Sequence, residues 1–215
     1  MELIQSLYDL RHTLAGEYLG NFAHPWEALP GIGNMILSIG EGLAFGEYEK
    51  VAPDIWLHKT AKIAPTASIS GPCIVGPHTE IRHCAFIRGN ALIGASCVVG
   101  NSTEVKNAIL FDGVQVPHYN YVGDSILGYR AHMGAGAITS NVKSDKSPVT
   151  CQGQNTEMKK VGAMVGDHAE IGCGSVLNPG AVIGRNSSIY PMSCVRGTVP
   201  ENCIYKAPDK IVKKN

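Results

Sequence analysis

Every sixth residue through the middle of this chain is a β-branched aliphatic: Ile63, Ile69, Val75, Ile81, Ile87, Ile93, Val99 and Val105. Two positions before each stands a small residue: Ala61, Ala67, Cys73, Thr79, Ala85, Ala91, Cys97 and Thr103. The grid returns as Val165, Ile171, Leu177, Ile183, Ile189 and Val195, with Ala163, Ala169, Ser175, Ala181, Ser187 and Ser193 at the small positions. Between the two runs, Val122-Gly123, Leu127-Gly128 and Met133-Gly134 keep the pattern with one slip in phase. A period of six fits neither the helix nor an alternating strand. It fits a short strand followed by a bend, repeated. The aliphatic then points into a narrow core, and the small residue sits where the chain crowds itself at a corner. Glycine supplies turn conformations that other residues resist. Stacked coils bury one another's aliphatic rows, so stability is spread along a solenoid.

Residues 1–50 do not follow the grid. Leu3, Ile4, Leu7, Leu10 and Leu14 have helical spacing, and Ile36-Leu37-Ser38-Ile39 lies between glycines as a second short helix. The GIG at 31–33 lacks a preceding strand and a third glycine, so it reads as a helix-capping turn rather than a nucleotide loop. This segment is expected to form a helical cap or arm, with the solenoid covering 51–207 and a basic tail at 208–215. The chain from Val199 on is lysine-rich and is expected to leave the solenoid. A polar insertion at 141–162 interrupts the grid and must loop outward from one face. Such loops on rigid scaffolds often carry function, although a merely solvated loop fits as well.

Lys+Arg and Asp+Glu balance at 18 each, so the chain carries no basic field for nucleic acid or an anionic membrane surface. No apolar run approaches membrane-spanning length, and the first residues, MELIQSLYDLRH, have no signal-peptide core. The seven cysteines contain no CxxC pair, and Cys73 and Cys97 fall on small-residue positions. They read as small buried thiols in a reducing compartment, so a cytoplasmic location is expected.

The stretch VPHYNYVGD, Val116 to Asp124, sets His118 between a proline and a Tyr-Asn-Tyr triplet. The residues alone leave three roles open for His118: turn residue, metal ligand or proton carrier. Pro117 fixes the turn, Tyr119 and Tyr121 can wall a pocket, and Asp124 is placed to orient the imidazole ring.

The hexads resemble the left-handed parallel β-helix of the hexapeptide-repeat acyltransferases, over about residues 55–207. NSTEVKN, VPHYNYVGDSILG and MGAGAITSN are similar to the acetyltransferase half of the bifunctional enzyme that makes UDP-N-acetylglucosamine. The resemblance implies a mainly β fold with a short helical N-terminal extension, a homotrimer with sites between subunits, and acetyl-CoA as co-substrate. No metal is expected. The implied acceptor is an amino-sugar phosphate such as glucosamine-1-phosphate. The nucleotide-transferring half of that enzyme carries a GxGTR-type loop, which this sequence does not contain.

Residue by residue, the resemblance places His118 at the general base, and Arg88 and Lys106 at phosphate contacts. It places Tyr121, His132 and Asn141 at the sugar site, with Ala135, Val142, Cys173, Tyr190 and Lys206 along the coenzyme. His132 stands where the family has Asn, and Val142-Lys143-Ser144 replaces its Tyr-Asp-Gly. Cys173 replaces Ser, Tyr190 stands near a family Ala, and Lys206 replaces an Arg. Lys143, Lys146, Lys159 and Lys160 on the insertion are further candidates for coenzyme phosphates. Arg88 and Lys106 are 18 residues apart, one triangular coil if three hexads close a turn as in the family. They would stack, and two stacked cations call for an anion between or beside them. With His118 they are expected to share one ledge.

Two other classes stay in view. Some β-helical trimers resemble γ-class carbonic anhydrases, which bind zinc through three histidines between subunits. His78, His83 and His118 supply the histidines but in the wrong order, and Gly123 stands where a second close partner would be needed. A sugar-phosphate-binding protein without catalysis would use the same acceptor residues.

Overall fold

The computed structural model describes residues 3–43 and 46–214; Met1, Glu2, Ala44 and Phe45 of the expected extension and Asn215 of the tail lie outside the described residues. From Ile55 to Ala207 the chain winds as a left-handed parallel β-helix with three faces. Face I stacks Ile55–His58, Cys73–Val75, Ala91–Ile93, the second halves of Glu104–Leu110 and Tyr121–Leu127, Ala163–Val165, Ala181–Ile183 and Thr198–Val199. Face II stacks Ser68–Ile69, Phe86–Ile87, the first halves of those two long strands, Ile138–Thr139, Val176–Leu177 and Cys194–Val195. Face III runs from Lys62–Ile63 through Glu80–Ile81, Val98–Asn101, Gln115–His118, His132–Met133, Glu170–Ile171 and Ser188–Ile189 to Cys203–Ala207. The grid aliphatics form the inward rows: Val75, Ile93, Leu110, Leu127, Val165 and Ile183 on face I are all fully buried.

The slip in phase has a structural cause. Leu110 follows Val105, and Leu127 follows Val122, one residue sooner than the hexad grid requires. At these two II/I corners one residue is missing, and each strand runs straight through from face II to face I. The corner residues, Asn107 (φ 47°) and Asp124 (φ 48°), adopt the left-handed conformation. Asn and Asp are the non-glycine residues that accept it most readily.

The N-terminal segment is an arm along the side of the solenoid, not a cap on its end. It contains short helices at Leu3–Leu7 and Gly16–Leu19, a 3₁₀ turn at Pro25–Gly31 and a helix at Ile32–Glu41, with Gly31 at the last helix's N-cap as the sequence suggests. The last helix lies over face I. There the outward residues Ile74, Leu92, Ile109, Ile126, Met164 and Val182 are apolar and almost completely buried. Ile32, Met35 and Ile36 of the helix are buried with them. Gly40 has no room for a side chain, because the Trp56 indole lies against it. Burial of such side chains is worth about 2 kcal/mol each, so arm and solenoid form one core.

Three further expectations change. The chain beyond Val199 does not leave the solenoid there: Cys203–Ala207 completes face III, and Lys210–Lys213 folds back on it antiparallel. The insertion is not simply solvated. Val149, Cys151 and Val161 are fully buried, Thr150–Cys151 and Gln154–Asn155 form a small hairpin, and Gln154 reaches His24 of the arm at 3.2 Å. All seven cysteines are free, yet Cys84, Cys173 and Cys194 are exposed, because they stand at corners or point outward. Among the described residues no helix is long and apolar enough to cross a membrane.

Candidate functional site

Face II is framed by two edges. On the II/I edge, Arg88, Lys106 and Gly123 follow one another on successive coils, fixed by the pairing of Ile87 with Val105 and of Lys106 with Gly123. The stacking expected from the 18-residue spacing is therefore present. The anions beside these cations belong to the protein. Arg88 Nη1 donates to Glu104 Oε1 at 2.7 Å, and Lys106 Nζ to Asp124 Oδ2 at 3.4 Å. The stacked cations thus do not themselves demand a bound phosphate. The Arg88–Glu104 pair raises the Arg88 pKa through the hydrogen bond and the carboxylate charge. Both partners remain substantially exposed, so the pair contributes little stability and can be exchanged for another anion.

Tyr121 faces outward from the middle of face II. Its hydroxyl accepts from Asn141 Nδ2 at 3.1 Å and lies over Gly123, where any Cβ would collide with it. Partial burial, then the nearby Asp124 charge, raise the Tyr121 pKa. Asn141 completes the edge one coil further on, and its amide also donates to Asp124 Oδ2.

His118 begins the opposite, III/II edge. The expected shared ledge is therefore a shared face: Arg88 and Lys106 on one side of it, His118 on the other, Tyr121 between. His118 is exposed, and among the described residues its hydrogen bonds run through its backbone, to Asn120 Oδ1 and from Gly136 N–H. Asp124 does not orient its ring; that carboxylate is turned the other way, onto Lys106, Asn107 and Asn141. Above His118 the same edge carries Ala135, Cys173 and Met192, linked by hydrogen bonds of Gly174 N–H to Ala135 O and Met192 N–H to Cys173 O. Tyr190 stands at this corner, half-exposed, with Lys206 Nζ 5.5 Å from its ring centroid. Ala135, Cys173, Tyr190 and Lys206 thus form one column rising from His118. Its corner glycine Gly136 leaves its lower part open (the nearest atoms to a Cβ there are Gly174 backbone at 4.0 Å), whereas the Met192 thioether lies against Gly174.

Two expected site residues fall elsewhere. His132 points outward on face III, where Nδ1 meets Glu170 Oε2 at 2.8 Å, because it alternates with the inward, fully buried Met133. Val142 lies on the II/I side, in a cavity of about 280 Å³ with Lys143, Asn178 and Arg196, on the opposite edge of face II from the column above His118. Lys143 is committed to Ser147 Oγ at 2.6 Å, and Lys146, Lys159 and Lys160 are exposed. His83 lies at the III/II corner, with its Nδ1 bonded to Thr66 Oγ1 at 2.7 Å, whereas His78 lies at the I/III corner, and among the described residues no three metal-binding side chains converge. Sequence reasoning missed Glu104, Asn107 and Gly123. The signal was available: the phase slip marks the two shortened corners that bring Asn107 and Asp124 over each other.

Much of the chain is similar in sequence to known proteins. The model of the GMPPB C-terminal domain matches residues 69–163. A bifunctional protein GlmU from Methanococcus maripaludis is 30% identical over 204 residues, 92% of this chain and 49% of that protein. Its counterpart from Methanococcus vannielii is 33% identical over 134 residues, 60% of this chain and 32% of that protein. The resemblance to the hexapeptide-repeat acyltransferases holds. Relative to these GlmU proteins the chain spans about half their length or less. Among solved structures, the acetyltransferase domain of PglB from Neisseria gonorrhoeae in complex with acetyl coenzyme A is 15% identical, covering 84% of this chain and 64% of that one, with a TM-score of 0.40.

Proposed function

We propose that the chain transfers the acetyl group of acetyl-CoA to the amine of an amino-sugar phosphate of the glucosamine-1-phosphate type, in nucleotide-sugar biosynthesis. The observation that carries this reading is the framing of face II, with a coenzyme column rising from His118 on one edge and Arg88, Lys106 and Asn141 on the other. The acceptor phosphate lies against Arg88 and Lys106, displacing Glu104 from Arg88. The sugar crosses Tyr121, and its amine reaches His118. Acetyl-CoA supplies the activated acyl group when bound.

His118 takes the amine proton as the nitrogen attacks the thioester carbonyl. The carbon–sulfur bond breaks as the tetrahedral centre collapses, and the proton passes to the departing thiolate. In the Gly134-Ala135-Gly136 turn, Gly134 N–H is spent on Ile171 O and Gly136 N–H on His118 O. Among the described residues this leaves the Ala135 N–H of that turn for the oxyanion. Tyr190 stacks on the adenine, and Lys206 beside it meets coenzyme phosphate.

The arm closes face I, so copies of the chain meet through faces II and III. A homotrimer fits, each cleft receiving the neighbouring copy's surface over an otherwise open His118. The test is a screen of amino-sugar phosphates with acetyl-CoA, following free-thiol release. Thiol release with glucosamine-1-phosphate, lost in His118→Ala, supports the reading. No release with any amino-sugar phosphate, while sugar-phosphate binding persists, replaces the enzyme with a binding protein.

A further inference from the structure

Asp124 is the most heavily engaged charged group at this face, and the chemistry described so far gives it no part. Its side chain is only 7% exposed. Its carboxylate collects three donors: Lys106 Nζ at 3.4 Å and Asn141 Nδ2 on Oδ2, and Asn107 Nδ2 at 3.0 Å on Oδ1. Its backbone carbonyl accepts from Gly162 N–H at 2.8 Å, where the insertion rejoins the solenoid, and Val161 N–H closes the same junction on Asn141 O at 3.0 Å. Asn107 also reaches Leu29 O of the arm at 3.4 Å. Asp124 therefore joins the acceptor edge and, through Asn107, the arm by its carboxylate, and the root of the insertion by its backbone carbonyl.

Backbone geometry makes this possible. The shortened corners place Asn107 and Asp124 in the left-handed conformation on adjacent coils, out of the inward and outward rows, with their side chains directed at each other. A full six-residue corner, as between Ile87 and Ile93, has glycine and Asn90 there instead.

We propose that Asp124 is the positioning residue of the acceptor edge: its carboxylate holds the Lys106 ammonium and the Asn141 amide where the acceptor's phosphate and sugar meet them. The proposal rests on the acceptor reading given above. A lysine side chain left free samples many rotamers, and ordering it on binding weakens affinity. Charge-assisted contact with a buried carboxylate removes that freedom beforehand. Asn141 is held twice, by Asp124 and by the Tyr121 hydroxyl, so the sugar-facing amide has one orientation.

The test is calorimetry of glucosamine-1-phosphate and, separately, of acetyl-CoA, with the wild-type chain, Asp124→Asn, Lys106→Met and the double variant. An amide at 124 offers one acceptor to three donors. Asp124→Asn should weaken sugar-phosphate binding about 30-fold, as two donors lose partners, and change acetyl-CoA binding less than about twofold. A residue that matters only for folding would weaken both ligands together. Because Asp124 acts partly through Lys106 and partly through Asn141, the double variant should weaken binding by clearly less than the product of the two single effects. Sugar-phosphate affinity of Asp124→Asn within about twofold of wild type overturns the proposal, as does multiplication of the two effects. If Asp124→Asn fails to fold, Asn107→Ala serves: about 3- to 10-fold weaker sugar-phosphate binding supports the proposal, and unchanged binding overturns it. A wild-type chain that binds acetyl-CoA but no sugar phosphate refutes the acceptor reading, and this inference with it.

Discussion

Ile109 points outward from face I, a direction that in an uncovered solenoid faces water. Here it is fully buried under the arm. Replacing it with alanine removes roughly three methylene equivalents, about 2.4 kcal/mol of transfer free energy at ~0.8 kcal/mol each. The residual cavity adds on the order of 1 kcal/mol, since the helix at Ile32–Glu41 and the strand beneath it are both held by their own hydrogen bonds. Ile109→Ala is therefore expected to cost about 3–4 kcal/mol, a fall of roughly 6–16 °C in Tm for a chain of this size. The comparison is Gln115→Ala, outward and exposed on uncovered face III, which should stay within about 0.5 kcal/mol. Urea-induced unfolding followed by circular dichroism measures both. A cost for Ile109→Ala below about 1 kcal/mol would falsify the claim that arm and solenoid share one core.

Other consequences are open to measurement. His118→Ala should fold with an unchanged thermal midpoint, because its exposed ring makes no side-chain hydrogen bond among the described residues, and should lose acetyl transfer at least ~100-fold; full activity rejects the proton-carrier role. Arg88→Met should raise the acceptor KM on the order of 10-fold and leave the acetyl-CoA KM alone; a shift in the coenzyme KM instead would put Arg88 on the wrong ligand. Burial pushes the thiols of Cys73, Cys97 and Cys151 up to about 12, whereas Cys84, Cys173 and Cys194 are exposed. Iodoacetamide at about pH 8 should therefore label the second group and spare the first. Acetyl-CoA should protect Cys173 but not Cys84; equal labelling of Cys173 with and without coenzyme removes it from the column.

The period-six grid determined the solenoid by itself, because a narrow triangular core tolerates only a small and an aliphatic residue at fixed positions, and any other choice would leave a void or a clash in every coil. The same grid placed Arg88 above Lys106. The helical spacing of Leu3, Ile4 and Leu7 was equally legible, but where the arm docks was not. Its address is the apolar outward row of face I, from Ile74 to Val182, which shows only once the three faces are unwound separately. The phase slip was visible at Leu110 and Leu127, yet its meaning was not, since a missing residue reveals a sharpened corner only when the strands are seen to run through it. Tertiary structure alone decided where each polar side chain went. It turned Asp124 away from His118 and onto Lys106, and it sent His132 to Glu170 on another face. Spacing along a chain fixes the row a residue joins, whereas hydrogen-bond partners are fixed by neighbours one coil away and by the backbone angle at the corner.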